Sequence, residues 1–90
     1  MLWRAELSNH AQGQLERFPR NVRDRISRAI DELEATDDSQ WSNIKALQGP
    51  EWKGRLCKRV GPYRIIFRKD PDRGVVGISA ILVKSKGTYR

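Results

Sequence analysis

Apolar residues recur along this chain with two different periods, and the change from one to the other divides it. Val22, Ile26, Ala29, Ile30 and Leu33 fall at i, i+4, i+7, i+8 and i+11, a single stripe along an amphipathic helix that Pro19 can open. Upstream, Ala11, Leu15 and Phe18 keep helical spacing behind Ser8 or Asn9, either of which can cap a first helix that Pro19 ends. At the start of the chain Leu2, Arg4 and Glu6 alternate with Trp3, Ala5 and Leu7, the pattern of a short edge strand. The two helical stripes need a common surface to cover, and that surface has to come from strands further on.

After the polar connection "ATDDSQWSN", Ile44, Leu47 and Trp52 are scattered apolar anchors around "QGP". The period then becomes two. "WKGRLCKRV", "YRIIFRK" and "GVVGISAILV" read as strands separated by the turn signals "GP" and "DPDRG", which suits an antiparallel meander. The expected fold is α+β: an N-terminal strand, then a two-helix hairpin packed on one face of an antiparallel sheet of about four strands. Ninety residues support one modest core, so residues 1–90 are expected to form a single domain.

Strand alternation then sorts the side chains of the sheet. Tyr63, Ile65 and Phe67 point one way, Arg64, Ile66 and Arg68 the other. In the preceding strand Gly54, Leu56 and Lys58 oppose Arg55, Cys57 and Arg59. If Leu56 and Phe67 both face the helices, Arg55, Arg59, Arg64 and Arg68 gather on the uncovered face, with Lys84, Lys86 and Tyr89 arriving from the last strand and tail. Like charges on neighbouring strands cost several tenths of a kcal/mol, on the order of one such cost for each opposed pair. A bound phosphate chain would offset this, because the planar guanidinium fork fits phosphate oxygens. The plainer alternative is a solvated basic face that discourages edge pairing.

Charge strengthens the first reading. The formal net charge is +7, and it is unevenly placed: residues 1–44 carry six basic and eight acidic side chains, residues 45–90 twelve and three. Such a field attracts polyanions. The longest apolar stretch, "VVGISAILV", is too short to cross a bilayer and "MLWRAEL" lacks a secretory pattern, so a cytoplasmic protein with no membrane partner is expected. The single cysteine, Cys57, excludes an internal disulfide, and with one histidine, His10, and no CxxC spacing neither a metal nor a cofactor is expected. His10 reads as a surface or capping residue and Cys57 as a small packing residue. No paired-carboxylate, Ser/His/Asp or P-loop arrangement is present.

Across "ALQGPEWKGRLCKRVGPYRIIFRK" the sequence resembles the RelE/ParE superfamily of toxins from toxin-antitoxin systems. The "LxG" before a basic strand, "GPYRIIF", the closing "KxKGxY", and "SxxAxxxLxxFP" followed by "IxxxIxxL" carry the likeness over nearly the whole chain. The resemblance implies a compact α+β fold and, on the RelE-like branch, a ribosome-dependent endoribonuclease. It would cut mRNA in the ribosomal decoding site and be held in check by a cognate antitoxin. Arg64 matches the arginine of the family's "YR" motif, Lys86 falls near its late basic position and Tyr89 matches its C-terminal tyrosine. Arg55 stands where RelE-like proteins commonly carry lysine, and Cys57 where a second lysine is often found. Together the charge clustering and the resemblance suggest that Arg64 and Arg55 clamp the scissile phosphate, Lys86 assists proton transfer and Tyr89 orients a base, while Arg59, Arg68, Lys84 and Arg90 bind RNA. The alternatives are a ParE-like inhibitor of DNA gyrase and a non-catalytic RNA- or ribosome-binding module.

Overall fold

The computed structural model of the chain describes residues 2–83. The elements run β1 (Arg4–Leu7), α1 (Asn9–Arg17), α2 (Arg20–Ala35), β2 (Ile44–Ala46), β3 (Leu56–Val60), β4 (Tyr63–Asp70) and β5 (Val75–Val83), with short 3-10 turns at Asp38–Gln40 and Pro50–Trp52. The strands form one sheet in the order β1-β5-β4-β3-β2.

The α+β class and the helical hairpin agree with the sequence pattern, but the sheet differs in two ways. It has five strands rather than about four, because Ile44–Ala46 pairs antiparallel with β3. It is also mixed rather than antiparallel throughout, because β1 lies parallel to β5. Three residues are too few to display a period, and alternation specifies the two faces of a strand without specifying its neighbour or direction.

Ser8 caps α1, its Oγ accepting from the Ala11 N–H at 3.1 Å. On α2 the predicted stripe is the buried one: Ile26, Ala29, Ile30 and Leu33 join Trp3, Ile65, Phe67, Val76, Ile78 and Ile81 in the core. Trp41 closes the far end of that core, edge-on to Phe67 with centroids 5.7 Å apart, and its Nε1 donates to the Leu33 carbonyl at 3.1 Å. That bond satisfies a carbonyl in the last turn of α2 that the helix itself leaves open.

The helices also manage the strand edges. Glu34 of α2 accepts from the Ala5 N–H at 2.8 Å, on the margin of β1. Strand β1 pairs with β5 only as far as Ile78; beyond it, Gln14 of α1 accepts from the Ile81 N–H at 2.7 Å and Ser8 Oγ donates to the Ser79 carbonyl at 3.2 Å.

Candidate functional site

The β3–β4 hairpin turns at Gly61–Pro62, where Gly61 has φ +57°, a left-handed conformation that glycine adopts without strain. This turn sets a register in which Leu56 opposes Phe67, Cys57 opposes Ile66 and Arg59 opposes Arg64. Arg55 immediately precedes β3, and the same register carried one step further would bring it level with Arg68. Arg59 and Arg64 are therefore a cross-strand pair on the face opposite the helices, with the buried Cys57–Ile66 pair beside them and Arg68 beyond it.

Their surroundings differ. Arg59 and Arg68 are exposed and Arg55 is half-buried. Arg64 was expected to stand open to solvent and is only 6 % exposed. It sits on the middle strand of the five, flanked by Arg59 on β3 and Leu82 on β5, and its guanidinium folds back along the sheet. Nη1 donates to the Gly61 carbonyl at 2.7 Å and to the Tyr63 carbonyl at 2.9 Å. Both bonds use the same nitrogen, so the Nε/Nη2 edge, which can make two parallel bonds to an oxyanion, has no partner among the described residues. Arg68 Nη2 donates to the Lys53 carbonyl at 3.2 Å. The backbone of Arg55 is held by bonds from its N–H to Trp52 and from the Leu47 N–H to its carbonyl, at 2.9 and 3.1 Å.

Charge pairing distinguishes this patch from the far end of its own face. At the β1 end of the same face, Arg4 and Arg73 lie 3.3 Å from Glu6, and Arg73 also meets Asp70 at 3.9 Å. Among the described residues, none of Arg55, Arg59, Arg64 or Arg68 has a carboxylate within 4.0 Å. A shallow depression of about 370 Å³ beside Arg68 includes Glu6 and Asp70 in its lining, which makes it a poorer place for an anion than the Arg59–Arg64 pair.

Two lysines complete the picture. Lys58, on the helix side of β3, is 3 % exposed and ion-paired to Glu32 at 3.2 Å, so its amine does not reach the arginine face. Lys45 is exposed and sits opposite Cys57 in register, which adds a cation to that face. Sequence reasoning missed it because the strand that carries it is so short. Lys84, Lys86, Tyr89 and Arg90 lie outside the described residues.

No protein-family model and no curated protein matches the sequence. Solved structures do. The toxin-antitoxin complex RelBE2 of Mycobacterium tuberculosis aligns over 93 % of this chain and all of its own, with a TM-score of 0.78 and 18 % identity. The archaeal RelE-RelB complex of Pyrococcus horikoshii aligns over 98 % of this chain and 99 % of its own at a TM-score of 0.73 and 22 % identity. The chain has the RelE fold. A third likeness, to the RelB-RelE complex of Methanococcus jannaschii, covers 86 % of this chain and 87 % of its own at a TM-score of 0.65 and 20 % identity. On the RelE fold of this chain, the Arg59–Arg64 pair and Arg68 occupy the sheet face that the helices leave free. Among the described residues no helix is long and apolar enough to cross a membrane.

Proposed function

We propose that this chain, as one RelE-like domain, is the toxin of a type II toxin-antitoxin system and an endoribonuclease that cuts mRNA in the ribosomal decoding site. The observation that carries the reading is the unpaired arginine face, with Arg64 anchored through Nη1 and its Nε/Nη2 edge unengaged among the described residues. The RelE fold, found in solved toxin-antitoxin complexes, supports the toxin assignment and a cognate antitoxin as partner.

RNA carries its own nucleophile. In-line attack by a 2′-OH on the adjacent phosphorus forms a P–O2′ bond, breaks the P–O5′ bond, and leaves a 2′,3′-cyclic phosphate and a 5′-OH. The 2′ proton departs to a base and the 5′ oxygen gains one. What the protein must supply is alignment of the backbone and neutralisation of the extra phosphorane charge. Arg64 holds the scissile phosphate with Arg55, while Arg59 and Arg68 hold its neighbours. An arginine whose fork is already positioned loses less freedom on binding than a free one. Lys86 assists proton transfer, Tyr89 orients a neighbouring base, and Lys84 and Arg90 add cationic contacts, roles that rest on the sequence.

A second reading keeps the toxin and changes its target. Cys57 replaces a lysine that the resemblance leads one to expect, and the amine of Lys58 is committed to Glu32, so β3 offers no amine to the arginine face. That favours a non-cleaving toxin such as a gyrase inhibitor. Induction of the protein in a bacterial host, with mapping of 5′ ends on ribosome-bound transcripts, separates the two readings. New ends inside the decoding site support cleavage, whereas intact transcripts together with blocked DNA supercoiling by gyrase support the second.

A further inference from the structure

Two guanidiniums converge on Gly61 from opposite sides. Arg64 reaches it from the arginine face and donates to its carbonyl at 2.7 Å. Arg25 reaches it from α2: a Cβ built on Gly61 would lie 2.5, 2.9 and 3.0 Å from Arg25 Nη2, Cζ and Nη1. The guanidinium tip, Nη2 nearest, therefore occupies the space that a side chain at Gly61 would fill. The missing side chain of Gly61 is what gives Arg25 this place.

Arg25 is not isolated. Arg25, Arg28 and Glu32 fall at i, i+3 and i+7, one flank of α2, and the two ends of that flank are located by their contacts. Glu32 meets Lys58 of β3, and Arg25 meets the turn that follows β3. The flank therefore runs beside β3, and Arg28 falls between those contacts. Strand β2 stops opposite Lys58, so in the sheet it does not extend alongside Val60. Among the described residues neither Arg25 nor Arg28 has a carboxylate within 4.0 Å. Placing unpaired cations near Arg59 and Arg64 is unfavourable in the free protein, and a polyanion relieves it.

We infer that Arg25 and Arg28 form a second phosphate-binding segment, and that an RNA strand lying across the arginine face continues over the Gly61–Pro62 turn onto this flank of α2. The partner is a phosphodiester backbone rather than a base. Guanidinium forks suit phosphate oxygens, and contacts of this kind position a strand without reading its sequence. The inference rests on the RNA reading above and extends the footprint beyond the sheet.

The test is binding of the full chain to a short single-stranded RNA across a salt series. For a single strand, log K falls with log salt by about 0.7 per phosphate contact, so Arg25→Ala with Arg28→Ala is expected to make the slope shallower by about 1.4. Arg25→Lys, which keeps the charge and fold but loses the planar fork, is expected to preserve the slope and weaken binding. Arg73→Ala, at the carboxylate-paired end, is expected to leave the slope unchanged. If Arg64→Ala weakens binding while the α2 double variant keeps the wild-type slope, the second segment is wrong and the RNA reading stands. If the wild type shows no salt-dependent binding, the RNA reading fails and this inference with it. If the double variant loses only capture by an acidic protein partner, α2 serves that partner and the inference is overturned.

Discussion

Lys58 Nζ lies 3.2 Å from Glu32 Oε2 and donates to the Ser42 carbonyl at 3.1 Å, so one amine ties β3 both to α2 and to the segment leading into β2. The lysine is buried and its partner is not: their side chains are 4 % and 66 % exposed. The two halves of the pair therefore respond differently to removal. Glu32→Ala leaves a buried charge with one carbonyl partner and is expected to cost about 1–2 kcal/mol, less than a fully buried pair because solvent already reaches the carboxylate. Lys58→Met fills the same volume and leaves Glu32 in water, so it is expected to fall within about 1 kcal/mol of wild type. Urea melts of the two variants decide it, and a Lys58→Met cost above that of Glu32→Ala would contradict the account.

Trp3 is buried against Trp41, with ring centroids 5.7 Å apart, and its Nε1 has no hydrogen-bond partner among the described residues. An unsatisfied buried donor costs about 1–3 kcal/mol, which offsets much of what the larger ring contributes by packing. Trp3→Phe is therefore expected to change stability by less than about 1 kcal/mol, while Trp3→Ala costs about 3–5 kcal/mol. Thermal or urea unfolding measures both.

Gly61 and Gly74 both adopt left-handed backbone, at φ +57° and +65°, in the turns at opposite ends of β4. Alanine at either is expected to cost about 1–2 kcal/mol. Gly61→Ala also displaces a guanidinium, because the new methyl meets the tip of Arg25. The two variants should thus match in stability and differ in RNA affinity, with Gly61→Ala the weaker binder in a fluorescence anisotropy titration. Equal affinities would remove Gly61 from any role in placing Arg25.

Much of this was legible in the sequence, for identifiable reasons. The α2 stripe of Val22, Ile26, Ala29, Ile30 and Leu33 is long enough to establish its period, and its buried members lie as the spacing requires. Leu56 and Phe67 do oppose each other on the helix side, so the faces of β3 and β4 followed from alternation. In β5, by contrast, Val76, Ile78 and Ile81 all enter the core, which a regular strand cannot achieve. The shift in register between Ile66 and Phe67 leaves Ser79 as an extra residue and restores the phase, and nothing in "GISAIL" marks it. Arg64 shows a similar limit: alternation places it on the correct face, but its burial and its bonds to Gly61 and Tyr63 depend on the neighbouring strands and the turn. Arg25 was hidden for another reason. Its proximity to Gly61 joins positions 36 residues apart, which no local pattern displays.

The central claim is that Arg64 stabilises charge on a phosphate being cut, and a single-turnover cleavage assay on mRNA-programmed ribosomes tests it directly. Wild type is expected to cut in the decoding site, and Arg64→Ala to slow cutting by roughly 10²–10³-fold, the loss typical of removing one preorganised donor to a developing oxyanion. Absence of cutting by the wild-type protein, or an undiminished rate in Arg64→Ala, would contradict the account.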